Sequence, residues 1–232
     1  MWRAKIALFV MVFLFVCGST HIAAAQAVNP PQGPDINAVP FEFDPGHLNV
    51  VAAEWKGGIG CAPTDPCGNA AAGDPQDSFG VGLLLAKTGT TAQFASAGAT
   101  LTGTKGITLT ELGYDLRKPG IATADPRGSH CGAGAPRFNI TTSDGVNHFV
   151  GCASPPPTTQ DPTVGLGWIR LRWLSPLTTA FPPVLPGSTI VGISIVFDEG
   201  TDTGPDNFGL AVLDNIDVNG QLIGNGPRGP AK

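Results

Sequence analysis

The sequence predicts an all-β fold, a two-sheet antiparallel β-sandwich of the jelly-roll type with about eight or nine strands. Three observations lead to this prediction. Apolar residues alternate with polar or small ones in several short segments, most strictly in residues 166–173. The 32 glycines and 22 prolines are numerous enough to separate short strands by turns. No segment has the apolar periodicity of a long helix. An immunoglobulin-like sandwich is the alternative architecture.

The N-terminal residues 1–27 have the pattern of a secretory signal peptide. Arg3 and Lys5 precede an apolar run at 6–16, and small residues lead to a predicted cleavage after Ala25 or Ala27. The run is shorter than the roughly 20 residues that span a bilayer, so we expect a secreted protein, extracellular or periplasmic, without an integral membrane segment. The formal net charge of −5, without a basic cluster, argues against nucleic acid as a partner.

The rest of the chain is interpreted as one domain with two flanking segments. Residues 28–40 are rich in proline and lack periodicity, which predicts a flexible leader or a strand-edge arm. Residues 41–224 are predicted to form the β-sandwich, and residues 225–232 a disordered tail. The predicted strands lie at 48–55, 79–87, 107–117, 137–142, 146–152 and 166–173, with one or two short strands within 88–106 and two adjacent strands within 189–220.

Two details of the strand pattern are specific. In residues 107–117 the apolar positions change parity at Glu111, which predicts a bulge or a crossing between sheets. Residues 143–145 read Ser-Asp-Gly between two strand-like segments, and Asp-Gly is typical of hairpin turns. We therefore expect 137–142 and 146–152 to form a hairpin.

Four cysteines follow the predicted cleavage site: Cys61, Cys67, Cys131 and Cys152. An even number in an exported chain predicts two disulfides, for which three pairings are possible. Proximity in the sequence favours Cys61–Cys67 and Cys131–Cys152. A zinc site formed by the four thiolates is the alternative, disfavoured because the chain has no C-x2-C pair.

The alternation in 166–173 also predicts a candidate ligand-binding face. Trp168, Arg170 and Arg172 share one face of this strand, opposite an apolar face that includes Trp173. An exposed indole can stack on a sugar ring, and guanidinium groups bind hydroxyls or carboxylates. The alternative is that Trp168 covers a second apolar layer while the arginines pair with acidic residues.

An acidic segment between the last two long strands predicts a structural calcium site. Asp198, Asp202 and Asp206 lie on a glycine-containing turn, and Asp214 lies in the strand that follows. Calcium prefers six to eight oxygen ligands from carboxylates and carbonyls, which such a turn could supply. The alternative is that these are solvated turn residues, because Asp tolerates unusual backbone angles.

The sequence LAVLDNIDVNG at 210–220 resembles the last strand of secreted bacterial jelly-roll carbohydrate-binding modules. This resemblance implies a jelly roll that binds carbohydrate. It also implies a structural calcium ion with Asp214 as a ligand, joined by Glu42 or Asp44.

The functional hypothesis from the sequence is a secreted, non-catalytic β-sandwich protein that binds carbohydrate or another extracellular polymer, such as a polysaccharide. One alternative is a structural or adhesive protein of the cell surface or matrix. The other is a polysaccharide-active hydrolase or lyase on a jelly-roll scaffold. The sequence contains neither a G-x-S-x-G nor an H-E-x-x-H motif, and we assign no catalytic residue.

Overall fold

The computed structural model describes residues 35–60, 80–119, 131, 135–152, 159–161, 168–204 and 207–224. This part of the chain contains twelve β-strands and no helix, and it belongs to one compact unit, Pro34–Lys232. The strands form two antiparallel sheets that pack as a sandwich, which confirms the predicted fold class with more strands than expected. A helix that could cross a membrane is not found among these residues. The predicted signal peptide and C-terminal tail lie outside them.

The chain passes repeatedly between the two sheets. In order they are β1 Asn37–Phe43, β2 Val51–Gly57, β3 Val81–Lys87, β4 Ser96–Thr102, β5 Glu111–Arg117, β6 Arg137–Thr142, β7 Asn147–Gly151, β8 Thr159–Asp161, β9 Ile169–Leu174, β10 Ile190–Phe197, β11 Leu210–Val218 and β12 Gln221–Ile223. Sheet A has the order β1-β4-β10-β6-β7. Sheet B has the order β2-β3-β11-β5-β9-β8, with β12 paired to β11.

The first strand begins at Asn37, inside the segment interpreted as a flexible leader or a strand-edge arm. It forms the edge of sheet A and pairs with β4 from Asn37 opposite Thr102 to Phe43 opposite Ser96. The indole N–H of Trp55 in β2 donates a hydrogen bond of 2.9 Å to the carbonyl of Ala38. This bond ties the edge of sheet A to the edge of sheet B.

The expectation that the two strands within 189–220 are adjacent is wrong. Strand β10 lies in the middle of sheet A, whereas β11 lies between β3 and β5 in sheet B. The acidic segment after Phe197 therefore carries the chain from one sheet to the other. The same alternation of apolar residues arises from packing across a sandwich and from pairing within one sheet, so the sequence does not distinguish the two arrangements.

The change of parity at Glu111 is a crossing between sheets, as one of the two predicted alternatives states. Thr108 pairs with Thr189 beside sheet A, and β5 begins at Glu111 in sheet B. The predicted hairpin is also confirmed, with β6 and β7 paired from Arg137 opposite Gly151 to Thr141 opposite Asn147. Gly145 in its turn has a φ of 83°, a conformation that favours glycine.

Three aromatic rings join the sheets at the centre of the core. Tyr114 of β5 lies 5.3 Å from Phe138 of β6 and 5.5 Å from Trp173 of β9, measured between ring centroids. Phe138 and Trp173 meet edge to face at 5.9 Å. The Tyr114 hydroxyl donates a 2.6 Å hydrogen bond to the carbonyl of Pro136, and burial raises the pKa of this tyrosine. The rings thus fix which face of each strand points inward.

One of the two predicted disulfides lies in the described residues. Cys131 and Cys152 are bonded, with 5.3 Å between their Cα atoms, and both side chains belong to the core. The bond closes a loop with a sequence separation of 21 residues. Cys61 and Cys67 lie outside the described part of the chain, so their pairing stays a prediction.

Replacing Cys131 and Cys152 together by alanine should lower the free energy of unfolding by about 3 kcal/mol, because the disulfide restricts the unfolded chain. For a domain of this size we expect the melting temperature to fall by about 6–12 °C. Calorimetry of the oxidised protein and of the double variant measures the difference. Equal melting temperatures would contradict a stabilising role for this bond.

Candidate functional site

The predicted ligand-binding face lies on the outer side of sheet B, but its indole is not exposed. Trp168 is 2% exposed and packs against Val212, and Ile59 and Leu84 border the same small apolar cluster. The Arg117 guanidinium lies 4.9 Å from the centroid of the Trp168 ring. The expectation of an exposed stacking ring is therefore wrong, because Trp168 covers a second apolar layer.

The two arginines of this face pair with carboxylates of the chain itself. Arg170 donates from Nε and Nη2 to the two oxygens of Asp115, each at 2.8 Å, and Asp115 is fully buried. Arg172 lies 3.2 Å from Asp217, 3.5 Å from Asp115 and 3.9 Å from Glu111. A ligand carboxylate would have to displace these partners, so this face is poorly suited to binding.

Arg170, Arg172 and the carboxylates of Glu111, Asp115 and Asp217 form a charged cluster on this face. Two of its carboxyls, Glu111 and Asp217, have a raised pKa. Burial raises the pKa of Glu111, the nearby charge of Asp217 raises it further, and Arg172 opposes both. Burial likewise raises the pKa of Asp217, against the opposing effect of Arg172. Glu111 and Asp217 therefore hold a proton more readily than isolated carboxyls would.

The carboxylates predicted to bind calcium are engaged separately. Asp198 pairs with Arg137 through two hydrogen bonds of 2.8 and 2.7 Å, and these lower its pKa although burial opposes them. Asp202 accepts hydrogen bonds from the amide and hydroxyl of Thr91. Asp214 is buried in β11 and accepts from the amide of Asn215.

Calcium binding stays a prediction. Asp206 lies outside the described residues, and Glu42 and Asp44 accept hydrogen bonds from the amides of Ala53 and Asn49. Within the described ranges, no three His, Cys, Asp or Glu side chains are grouped closely enough to hold a metal ion together. The described carboxylates of the acidic turn, Asp198 and Asp202, accept hydrogen bonds from the chain's own donors.

Another donor at this turn is the buried ammonium of Lys87 at the end of β3. The carbonyl oxygens of Thr91, Gln93 and Asp198 lie within 3.2 Å of its Nζ atom. Burial lowers the pKa of Lys87, and the charges of Asp198 and Asp202 oppose this effect. The ammonium thus joins the turn after β3 to the turn after β10.

An open concavity crosses the outer face of sheet A. This groove has a volume of about 620 Å³ and runs over β4, β10, β6 and β7. Three strand spacings give it a length of about 14 Å. Its lining residues are Thr100, Leu101, Thr102, Gly103, Thr104, Lys105, Asn139, Thr141, Asn147, Phe149, Val191, Gly192, Ile193 and Ser194. We call this feature the sheet A groove.

The groove follows from the period-two pattern of its strands. Phe138 and Ile140 point into the core, so Asn139 and Thr141 between them point outward. In β10 the register with β6 shifts between Ile190 and Gly192, which is the mark of a bulge. The bulge turns Val191 outward, where it is 46% exposed, although the alternation predicts a buried position.

The lining offers many neutral hydrogen-bonding groups. The Thr141 hydroxyl donates to Asn147 Oδ1 at 2.7 Å, and the amide group of Asn147 carries two further N–H donors. Asn139 Oδ1 is buried and has no hydrogen-bond partner among the described residues. Among the described lining residues, Lys105 is the one ionisable side chain, and Phe149 adds a partly exposed phenyl ring.

Sequence reasoning did not identify this groove. Its Thr, Ser and Asn side chains occupy outward positions of predicted strands, where small polar residues are ordinary. Two signals were present: the polar positions of 137–142, and the scarcity of charge at the outward positions of β4, β10, β6 and β7, where Arg137 is the one charged residue. Neither signal indicates that the outer face is concave.

The sequence matches no protein-family model and no curated protein. Among solved structures, the family 11 carbohydrate-binding module of a cellulosomal cellulase from Clostridium thermocellum is similar with a TM-score of 0.37 and 13% identity, over 81% of this chain and 88% of that one. The enzymatically active domain of tailspike protein 4 from bacteriophage CBA120 has a TM-score of 0.25 and 12% identity, over 80% of this chain and 18% of that one. Similarities at this level do not identify a ligand.

Replacing Glu111 by glutamine should stabilise the protein at neutral pH. When the pKa of a carboxyl is raised in the folded state, the folded protein loses stability as the pH rises and that carboxyl ionises. Glutamine cannot ionise, so it avoids this loss. We expect a gain of about 0.5 kcal/mol at pH 7 that disappears near pH 4, because Arg172 keeps Asp115 and Asp217 as partners. Urea denaturation at both pH values measures it, with the exposed Glu54→Gln as control. A gain that is larger at pH 4 would refute this account.

Replacing Lys87 by methionine should destabilise the protein by about 3 kcal/mol, because three carbonyl oxygens lose a charged donor. The urea midpoint of unfolding should fall accordingly. Lys56→Met is the matched control, since Lys56 is an exposed residue of β2 whose ion pair with Glu54, at 3.4 Å, lies at the surface. If both variants unfold at the same urea concentration, Lys87 does not hold the two turns together.

Proposed function

We propose that this chain is a secreted, non-catalytic β-sandwich protein that binds carbohydrate in the sheet A groove. The observation that carries the proposal is the lining of the groove. Neutral hydroxyl and amide side chains stand on four paired strands, and a phenyl ring lies at the β7 end. Paired strands hold these groups in fixed positions, so little conformational freedom is lost when a ligand binds.

The lining chemistry matches the hydroxyl groups of sugars. A sugar hydroxyl both donates and accepts hydrogen bonds, and so do the threonine, serine and asparagine side chains of the groove. Asn139 Oδ1, which has no partner among the described residues, is a further hydrogen-bond acceptor in the lining. The Phe149 ring offers an apolar face to the C–H groups of a sugar ring.

Binding is favoured over hydrolysis by the titration properties of the same residues. General acid–base catalysis requires a group that exchanges a proton near the working pH. Threonine, serine and asparagine do not titrate in that range, and Lys105 is the one ionisable residue that the described part of the chain contributes to the groove. The alternative of a structural or adhesive protein makes a different prediction: filling the groove would leave its function unchanged.

Export is the cellular part of the proposal. The N-terminal pattern of Arg3, Lys5 and the apolar run that follows supports it. The Cys131–Cys152 disulfide supports it too, since such bonds persist in oxidising compartments. A polysaccharide outside the cell is thus the proposed partner.

Filling the groove should abolish binding without unfolding the protein. A Cβ atom at Gly192 would meet no atom within 4 Å, so Gly192→Leu places a side chain in the open floor. In affinity electrophoresis through gels that contain individual polysaccharides, we expect wild-type protein to be retarded by at least one of them. The variant should bind that polysaccharide at least about tenfold more weakly, a loss of about 1.4 kcal/mol.

Gly57→Leu is the matched control, because Gly57 ends β2 in sheet B and also has no atom within 4 Å of an added Cβ. It should be retarded like the wild type. Retardation of Gly192→Leu equal to that of wild type would reject the groove as the site. No retardation of the wild-type protein by any neutral or acidic polysaccharide would reject carbohydrate binding itself.

A further inference from the structure

A single residue extends sheet A beyond its edge strand β7. Phe149 and Phe181 exchange both backbone hydrogen bonds, at 2.9 and 3.0 Å, and form an isolated antiparallel bridge. Directly opposed residues of an antiparallel pair point to the same face of the sheet. Since the Phe149 ring lines the sheet A groove, the Phe181 side chain lies on the same face, one strand spacing further out.

The segment around Phe181 is anchored in the core although its ring is not. Leu177, Ala180 and Val184 are buried on either side, whereas Phe181 is 75% exposed. The amide of Val184 donates to the carbonyl of Leu177 at 3.2 Å and closes the segment on itself. An exposed phenyl ring is therefore held at a fixed place beside a polar groove, which is the arrangement of an aromatic contact residue at a binding site.

A buried histidine fixes this segment from the core side of β7. His148 is 4% exposed, its Nδ1 lies 2.8 Å from the carbonyl oxygen of Pro182, and its Nε2 lies 2.9 Å from the Thr142 hydroxyl. A carbonyl oxygen can only accept, so Nδ1 carries the hydrogen of the bond to Pro182. His148 thus ties the residue after Phe181 to the strand that carries Phe149.

We propose that Phe181 is a ligand-contacting residue that lengthens the sheet A groove beyond β7, and that His148 is the positioning residue that holds it there. This inference rests on the proposed carbohydrate function. Because Phe181 lies one strand spacing beyond β7, it lengthens the site from about 14 Å to about 19 Å. Phe181 therefore contacts only oligosaccharides long enough to pass β7, and it distinguishes long chains from short ones.

The test compares four variants on short and long oligosaccharides of the retarding polysaccharide, by calorimetric titration. Phe181→Ala should weaken binding of the long ligand about tenfold and leave the short ligand unchanged. Phe94→Ala is its control, because Phe94 is 88% exposed in the turn before β4. His148→Gln lacks a donor at the Nδ1 position and should reproduce the Phe181→Ala effect. His148→Asn supplies an amide N–H there and should restore long-chain binding.

A second measurement needs no ligand. Hydrogen exchange at the amides of Phe149 and Phe181 should be faster in His148→Gln than in wild type or His148→Asn, because the bridge loses its support.

Equal loss for short and long ligands in Phe181→Ala would overturn the chain-length role. Unchanged exchange in His148→Gln would overturn positioning by His148. If Gly192→Leu abolishes binding while Phe181→Ala and His148→Gln bind like wild type, this inference fails and the proposed function stands. If wild-type protein binds no carbohydrate, both the proposed function and the role of Phe181 fail, and hydrogen exchange alone decides whether His148 holds the segment.

Discussion

The contact of Tyr114, Phe138 and Trp173 between the two sheets determines where the other side chains of this protein point. Side chains on a strand alternate between its faces, so an inward Phe138 places Asn139 on the outer face of sheet A. An inward Trp173 likewise places Arg172 on the outer face of sheet B. A slip of one residue in either strand would bury polar groups and expose the rings, which would cost several kcal/mol. The groove and the charged cluster are both consequences of this core.

The polar groups of the two outer faces have different partners, and the proposal that binding occurs on sheet A rests on this difference. On sheet B, Asp115 and Arg172 are almost completely buried and neutralise each other beside Asp217. A ligand can bind a charge of a buried ion pair only if the pair is first broken, and breaking it leaves a buried charge without its partner. On sheet A, the outward hydroxyl and amide groups are uncharged and line an open groove. Solvent is the competitor for those groups, and a ligand with the same hydrogen-bonding pattern can replace it.

Local patterns in the sequence were sufficient to predict the strands and some of their geometry. The parity change at Glu111 indicated the crossing between sheets, and Asp144-Gly145 indicated the hairpin, because both depend on neighbouring residues alone. The pairing of β10 and β11 with other strands could not be predicted, since it depends on residues distant in the sequence. Alternation placed Trp168 on the outer face correctly, but it carries no information on whether that face is covered. The bulge at 190–192 likewise leaves no signature in the alternation, which assigns Val191 to the core.

Side chains in and beside the groove are held in place in two ways: by the hydrogen-bond ladder of paired strands, and by a single bridge supported by buried neighbours. Asn139 and Thr141 lie on β6 between two paired strands, so the ladder hydrogen bonds of sheet A fix their backbone. Phe181 lies outside any strand, and a single bridge to Phe149 would leave its backbone free to separate from the edge. Buried neighbours and the His148 bond supply the restraint that a further strand would otherwise provide. A single exposed ring is ordinary at a protein surface, and Phe94 is another in this protein. Phe181 differs because its backbone is held beside the groove by the bridge to Phe149 and by the bond from His148 to Pro182.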